Sequence, residues 1–317
     1  MENPFSTNKA SSIKERKGEN KFPFSSYRLW DYIFRLCLKN SAIILFILIG
    51  AMVASLIIFS IPVIKQSGLG ILFGTKWSPA IDQFGGAPFI VGTLITSVFA
   101  LFISLPFALA VSIFLGEYFR TGPLSVLINA GIELSAGIPS IIYGTWGLYV
   151  LVPLIQKLQI SLGGEGMSSF GVSILSASVL LSIMIIPFAA SISREIISMV
   201  PVDLKEASYA LGSTRYEMIK NVAIPYARSG IFAGLLLSFG RALGETMAVT
   251  MVIGNFNEIP KSLFGPGNTI ASVIANEYNE ASPLHISALT ELGLVLFLLT
   301  IAIGFIGRYV IIRTSVK

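Results

Sequence analysis

Six long apolar stretches determine the fold class of this chain. They lie at about 41–62, 89–116, 127–153, 172–190, 229–253 and 287–312. A helix needs about 20 predominantly apolar residues to cross the hydrocarbon core of a bilayer, and each stretch has about that length. Because 54% of the 317 residues are hydrophobic and only 12% are charged, the chain lacks the polar surface of a soluble domain of this size. The sequence therefore predicts an all-α, polytopic membrane protein with six transmembrane helices.

The Lys and Arg residues are unevenly shared between the two sides of the predicted bundle. With a cytoplasmic amino terminus, 17 of the 22 lie in cytoplasmic segments and 4 in outer loops, while Arg241 lies inside a span. A bias of this kind obeys the positive-inside rule. It predicts a multi-pass protein with both termini in the cytoplasm, and it explains the net charge of +5 without a nucleic acid partner.

The predicted domain organisation follows from these spans. Residues 1–40 are expected to form a cytoplasmic basic tail, disordered to Pro23 and followed by a short interfacial helix. The aromatic residues expected to meet the lipid headgroups from this helix are Tyr27, Trp30, Tyr32 and Phe34. Residues 41–312 form the six-span domain, and residues 313–317 form a cytoplasmic carboxy-terminal tail.

Two of the predicted outer loops are long and rich in glycine and proline. They span residues 63–88 and 254–286. Turn residues of this kind favour fixed surface loops, which can receive a docking protein. Plain connectors between spans are the alternative.

Residues 201–225, here named the charged segment, lie between two apolar runs. Their Lys, Arg and Glu side chains are too costly to place in hydrocarbon, so the segment must lie in water or against another protein. Gly212 predicts a break between two short helices, because glycine commonly follows the end of a helix. Thr214 and Glu217 have the spacing of a capping box, which predicts that a second helix begins there. Pro225 is expected to end that helix.

The order of residues in the charged segment resembles the EAA loop of ABC importer permeases. The matching positions are Glu206, Ala207 and Ser208, then Gly212 six residues after the glutamate, and finally Val222, Ile224 and Pro225. Ser208 departs from the family's second alanine, and Val222 and Ile224 replace its usual Ile and Leu. In that family the loop forms coupling helices that dock into a cleft on the ATPase subunit. The residues that the resemblance assigns to ATPase coupling are Glu206, Ala207, Gly212 and Pro225. An ordinary amphipathic surface hairpin is the alternative.

The fifth apolar stretch contains two charged residues, Arg241 and Glu245. Arg241 lies about 12 residues from either end, roughly 18 Å of helix, which is farther than a side chain reaches comfortably by snorkelling. In a continuous helix Glu245 follows one turn later on the same face, so the two side chains can pair. The pair is either structural glue between helices or part of an anion pathway, because a guanidinium group matches the oxygens of phosphate or a carboxylate. Gly240 and Gly244 predict close helix packing nearby.

The sequence also limits the chemistry that this chain can perform alone. It contains no GxxxxGK[ST] loop, so ATP hydrolysis is assigned to a separate subunit and the chain is expected to be non-catalytic. A single cysteine, Cys37, and a single histidine, His285, offer no metal-ligand cluster. No cofactor is therefore expected in this chain, and ATP with its magnesium belongs to the partner ATPase.

Three further stretches resemble the phosphate-specific ABC importer permeases of the PstC type. They are PFIVGTLITS at 88–97, ELSAGIPSIIYGTWGLYVLVP at 133–153 and GRALGETMAV at 240–249. The resemblance covers about residues 40–312 and implies a type I ABC importer (MetI-like) permease fold in the bacterial plasma (inner) membrane. It also implies a heterodimer with a related A-type permease, two ATPase subunits and an external phosphate-binding protein. Arg241 and Glu245 would then line the substrate pathway between the two permeases.

Three other functions are compatible with the same residues. One is a permease for another oxyanion, such as molybdate, sulfate or phosphonate, because Arg241 fits any of these anions. Another is an ion-coupled secondary anion carrier, although such a carrier has no use for an EAA-like loop. The last is a sensor or scaffold that signals external phosphate, a role that can coexist with transport.

Overall fold

The structure is a computed structural model that describes residues 24–68, 70–162 and 170–314. The predicted disordered tail up to Pro23 and residues 315–317 of the predicted carboxy-terminal tail lie outside the described residues. The predictions made for those two stretches therefore stay predictions.

The first of two units in the chain, residues 1–53, contributes the beginning of one long helix. This helix, α1, runs from Phe24 to Ser67 without interruption and ends in the second unit, residues 54–317. The predicted short interfacial helix is thus the start of the first span rather than a separate element, because no glycine or proline occurs between Phe24 and Gly50. The side chain of Tyr27 lies outside the described side chains, while the other predicted headgroup residues, Trp30, Tyr32 and Phe34, are exposed.

The remaining elements of the second unit are almost entirely helical in its described part. The helices are α2 (Gly70–Phe73), α3 (Ala87–Ile113), α4 (Pro123–Gly137), α5 (Ser140–Trp146), α6 (Val152–Ser161), α7 (Ile174–Ser198), α8 (Val202–Ala210), α9 (Arg215–Met218), α10 (Ile224–Gly244), α11 (Met247–Val252), α12 (Ile270–Glu277) and α13 (Pro283–Thr314). Wide π-helical turns cover Phe114–Tyr118, Gly147–Leu151 and Ile219–Ala223, and 3₁₀ turns cover Pro79–Ile81 and Tyr278–Glu280. Strands β1 (Trp77–Ser78) and β2 (Gln83–Phe84) pair antiparallel in one small hairpin.

Six helical stretches in the described chain are long and apolar enough to cross a membrane. They are Leu29–Gln66, Ala87–Tyr118, Ser140–Ser161, Ile174–Ser198, Arg215–Gly244 and Pro283–Arg313. The predicted all-α fold with six transmembrane helices is therefore confirmed. Besides the first span, which begins earlier than predicted, the third and fifth spans differ most from their predicted boundaries.

The third span is shifted relative to the predicted stretch at 127–153. Helix α4 ends at Gly137, Ile138 and Pro139 are extended, and α5 begins at Ser140. Pro139 disfavours a helical conformation at the preceding residue and cannot donate a backbone hydrogen bond, so the apolar run is divided at this point. The residues before the break form a separate helix, and the spanning helix continues beyond the predicted end to Ser161.

The fifth span begins earlier than predicted and passes through Pro225. The expectation that this proline ends the second helix of the charged segment is wrong. A π turn directly precedes it, and the turn closes with the Ile224 N–H donating to the Ile219 carbonyl oxygen. The wider turn changes the hydrogen-bond register immediately before the residue that cannot donate, so the helix continues into α10.

The fifth span also ends earlier than the predicted position 253. Helix α10 stops at Gly244, Glu245 is extended, and a separate short helix begins at Met247. Gly244 is a poor helix former, and the Thr246 hydroxyl donates to its carbonyl oxygen at 3.2 Å. The span is therefore a discontinuous helix, with its break beside the predicted charged pair.

Helix α7 lies at the centre of the second unit, packed against α3 and α10. Many of the buried positions that α3 and α7 contribute are small: Gly92, Thr93, Thr96, Ser97, Ala100, Ser104, Ala108 and Ser112 on α3, and Ser176, Ala177, Ser178, Ser182, Ala189, Ala190 and Ser193 on α7. Small side chains allow helix backbones to approach closely, which is the usual way in which spans pack in a membrane. The small side chains therefore favour close contact between the backbones of α3 and α7.

Candidate functional site

The charged segment folds as two short helices joined by a tight turn. Helix α8 ends at Ala210, and Gly212 follows with φ of +84°, a left-handed conformation that favours glycine. The Thr214 hydroxyl accepts from the Glu217 N–H at 3.3 Å, while the Glu217 carboxylate accepts from the Thr214 N–H at 2.8 Å. The predicted glycine break and the predicted capping box are both confirmed.

The charged segment exposes several large apolar side chains. The exposed residues are Met199 just before the segment, Val202, Leu204 and Tyr209 on α8, Leu211 directly after α8, and Tyr216 on α9. Leu211 is 89% exposed, although its side chain is fully apolar. Exposed large apolar side chains in one short segment indicate a site of protein contact. The predicted coupling residues Glu206 and Ala207 are also exposed on α8.

The charged segment is attached to the end of α3 by Glu117. This carboxylate is buried in the π turn that follows α3. Its Oε1 atom accepts hydrogen bonds from the Lys205 ammonium at 2.5 Å and from the Arg120 guanidinium at 2.9 Å. Lys205 is the buried residue of α8. The ion pair therefore joins residues that are 88 positions apart in the sequence.

Arg215 provides a second attachment from the other helix of the charged segment. Its Nη2 atom donates to the carbonyl oxygen of Glu117. Its guanidinium carbon lies 4.3 Å from the centroid of the Tyr118 ring, a cation–π geometry. We refer to Glu117, Arg120, Lys205 and Arg215 as the Glu117 cluster. Sequence analysis did not identify this cluster, since its local signal is only a carboxylate at the end of an apolar run.

Arg241 lies in the last turn of α10 and is exposed in this chain. Its guanidinium carbon lies 5.8 Å from the centroid of the Phe188 ring on α7. Within the described residues no ion pair joins Arg241 to Glu245, so the expected pairing within one helix is wrong. The cause is the break after Gly244, because Glu245 leaves the helix with an extended backbone and is no longer one turn above the arginine.

The glycines near Arg241 do not pack as predicted within this chain. A Cβ atom added at Gly240 or Gly244 would meet no heavy atom within 4 Å. Close packing does occur farther down the helix, where a Cβ at Gly234 would lie 2.8 Å from Cγ2 of Ile192. The end of α10 that carries Arg241 therefore faces open space on the surface of this chain.

The broken end of the fifth span is supported from α5. A Cβ atom at Gly144 would lie 2.7 Å from Sδ of Met251 and 3.0 Å from Cα of Ala248. Glycine at position 144 thus allows α5 and α11 to pack in close contact. The short helix after the break is held in place by this contact and by its buried residues Ala248, Val249 and Val252.

The predicted outer loops share contacts with one carboxylate, Glu277, at the end of α12. It receives hydrogen bonds from Trp77 Nε1 at 2.8 Å and Asn257 Nδ2 at 3.0 Å, and its Oε2 atom lies 2.9 Å from His285 Nε2. Trp77 and His285 also contact each other edge to face, with ring centroids 5.7 Å apart. These contacts join the β-hairpin, the loop after α11 and the start of α13. They give the predicted outer loops fixed positions.

Comparisons with known proteins agree on one family. The model of the family described as "Binding-protein-dependent transport system inner membrane component" matches residues 108–315. The phosphate transport system permease protein PstC of Pasteurella multocida (strain Pm70) is 43% identical over 304 residues, which cover 92% of this chain and 95% of that protein. The protein of the same name from Haemophilus influenzae (strain ATCC 51907 / DSM 11121 / KW20 / Rd) is 45% identical over 298 residues, with 89% and 93% covered.

A solved structure shows a similar fold at low sequence identity. A chain from the MetNI methionine ABC transporter, in an inward-facing conformation, aligns with a TM-score of 0.53 and 18% identity. The alignment covers 71% of this chain and 92% of that chain. At this identity the similarity is informative about the fold alone, and it agrees with the predicted MetI-like fold.

Proposed function

The chain belongs to the binding-protein-dependent transport system inner membrane components and, within them, to the PstC phosphate permeases, and we propose that it imports inorganic phosphate. The observation that carries this proposal is identity of 43–45% to phosphate permeases over about nine tenths of the chain. In this proposal the chain is a non-catalytic permease subunit that forms half of an anion pathway. A related A-type permease forms the other half.

We further propose that the charged segment couples this pathway to ATP hydrolysis in a separate subunit. The exposed apolar group around Leu211 suits a contact with a folded partner, because it would be buried on docking. Glu206 and Ala207 are exposed on the same short helix, and Gly212 lies in the turn between the two helices of the segment. Two ATPase subunits, one for each permease, would bind ATP and magnesium, so this chain itself would need no cofactor.

Pro225 has a different part in the proposed coupling from the one expected of a helix stop. It lies just after the π turn that connects the charged segment to α10. The helix from Arg215 to Gly244 is continuous, so a displacement of the charged segment is passed along it toward Arg241. The π turn and Pro225 would then set the direction in which α10 continues from the coupling helices.

Arg241 and Glu245 are proposed to act in the anion pathway between the two permeases. Arg241 is exposed beside open glycine positions and is not neutralised by Glu245 in this conformation. A guanidinium group can bind two phosphate oxygens at once, which favours an anion over water in a narrow pathway. Glu245, half-buried after the helix break, would limit the positive charge and so keep binding weak enough for release.

The orientation of the chain is proposed from the distribution of basic residues. Both termini and the charged segment would face the cytoplasm, where ATP is available. The outer loops held by Glu277 would then face an external phosphate-binding protein. That surface is fixed before docking, so the binding protein would not have to order it.

The test of phosphate import is uptake of labelled phosphate into proteoliposomes that contain this chain, its partner permease, the ATPase and the binding protein. We expect uptake that requires ATP inside the vesicles and binding protein outside. An excess of unlabelled sulfate or molybdate should not reduce the uptake of labelled phosphate. Competition by either anion would favour the permease for another oxyanion. Uptake that persists with a catalytically inactive ATPase would favour an ion-coupled secondary carrier instead.

A further inference from the structure

We propose that the Glu117 cluster ties the charged segment to the end of α3, so that both move as one body when the ATPase displaces the segment. This inference rests on the proposed function and adds a second mechanical route to it. The first route is the continuous helix from Arg215 to Gly244. The second passes through Glu117 to the span Ala87–Tyr118. This span is far from the charged segment in the sequence, so only non-covalent contacts join the two directly.

The burial of Lys205 is the first observation that supports this route. Helix α8 is otherwise exposed or half-buried along its length, yet Lys205 is only 6% exposed. A buried ammonium group is costly unless a well-placed opposite charge compensates it. Here a carboxylate that is itself 6% exposed provides that charge. A pair of this kind holds its geometry, because separating the two groups leaves a buried charge on each side.

The attachment has two points, one on each helix of the charged segment. Lys205 on α8 binds the Glu117 carboxylate, and Arg215 at the start of α9 binds the Glu117 backbone carbonyl. A single contact would allow the two helices to rotate about it. Contacts on both sides of Gly212 fix the orientation of the whole turn relative to the end of α3.

Apolar packing continues the same body toward α7. Met218 and Ile219, just after Arg215, are buried with Ile197 and Val200 from the end of α7 in one cluster. A Cβ atom at Gly116, beside Glu117, would lie 3.0 Å from Cγ2 of Ile197. The ends of α3 and α7 and the charged segment therefore share one tightly packed junction.

The first experiment measures phosphate taken up per ATP hydrolysed by the reconstituted complex. Lys205→Met removes the charge at similar length, and Arg215→Gln removes the second attachment at an exposed position. We expect the assembled variants to hydrolyse ATP but to lose roughly 3- to 30-fold in uptake per ATP, the range typical of a broken coupling contact. Lys205→Arg should keep the native ratio of phosphate taken up per ATP, because it keeps the positive charge. Lys157→Met, which removes an exposed lysine far along the chain in α6, is the matched control and should leave the ratio unchanged.

An unchanged ratio in Lys205→Met and Arg215→Gln would overturn the inference. If Lys205→Met fails to assemble because Glu117 is left buried without its partner, the double variant with Glu117→Gln removes that charge. The double variant should assemble yet remain uncoupled. Full coupling in it would show that the ion pair serves folding alone. If neither variant at the buried pair assembles, the uptake per ATP of Arg215→Gln tests the same inference at an exposed position.

A second measurement tests the rigid body directly in the native cluster. Spin labels at Thr121 and Asn221, two exposed positions on either side of the cluster, report the distance between the end of α3 and the charged segment. Replacing the single cysteine, Cys37, with serine leaves only these two labels. We expect the same distance with and without ATP in the full complex. A change of the distance between the two states would contradict a rigid junction even if phosphate uptake is normal. Absence of uptake by the native complex would contradict only the proposed function.

Discussion

Replacing Glu277 with alanine removes an acceptor that three residues of the predicted outer loops and the start of α13 share. Trp77, Asn257 and His285 lose their hydrogen-bond partner at once. An ionised carboxylate only accepts hydrogen bonds, so His285 must donate to it from Nε2. The substitution therefore leaves three donors without an acceptor.

The expected loss of stability follows from the burial of these donors. Trp77 and His285 are 8% and 6% exposed, and an unsatisfied buried donor costs about 1–3 kcal/mol. Asn257 is half-buried and can turn toward water, so it adds little. The two buried donors together predict a loss of about 2–6 kcal/mol. At about 2 °C per kcal/mol for a chain of this size, Tm should fall by about 4–12 °C.

The measurement is thermal unfolding of the purified protein in detergent, with Glu280→Ala as the control. Glu280 lies three residues away in the same outer region and is exposed, so its removal should shift Tm by about 1 °C or less. Glu277→Gln retains an amide oxygen as acceptor and should lie between the two. If Glu277→Ala shifts Tm no more than Glu280→Ala does, the outer loops are not held by this carboxylate.

Three further predictions concern packing and coupling. Gly92→Val should lower Tm by several degrees, because a Cβ at this position overlaps the carbonyl oxygen of Asn268, whereas Gly131→Ala, in open space, should not. Gly212→Ala should destabilise the turn of the charged segment by about 1–2 kcal/mol, since φ is +84°, and Gly212→Asn should cost less. Limited proteolysis of the segment measures this effect. Equal cleavage rates in the native chain and in Gly212→Ala would contradict the prediction. Leu211→Glu should leave Tm unchanged but prevent co-purification of the ATPase, because the side chain is exposed; retained co-purification would argue against docking on this face.

The features that sequence analysis predicted correctly depend on residues that are close together in the chain. The number of spans follows from the lengths of apolar runs, which a bilayer requires whatever the tertiary structure is. The turn in the charged segment follows from Gly212 and from the pair Thr214 and Glu217, which are only three positions apart. Local steric and hydrogen-bonding rules are sufficient for both.

The features that it missed depend on competition between local signals or on distant partners. At Pro139 a continuous apolar run predicted one span, but the backbone restriction of proline divided it. Spacing alone placed Arg241 and Glu245 on one helical face, although that inference requires the helix to continue past Gly244. The pairing of Glu117 with Lys205 spans 88 positions and has no periodic pattern that would reveal it.

The measurement that tests phosphate import through Arg241 most directly compares the native complex with Arg241→Gln. Phosphate uptake into proteoliposomes and ATP hydrolysis are recorded in the same preparations, with assembly checked by co-purification. A hydrogen bond to a charged group contributes about 1.5–3 kcal/mol, so its loss predicts that uptake falls by about 10- to 150-fold while ATP hydrolysis continues. Unchanged uptake in Arg241→Gln would remove Arg241 from the anion pathway, and absence of phosphate uptake by the native complex would contradict phosphate import itself.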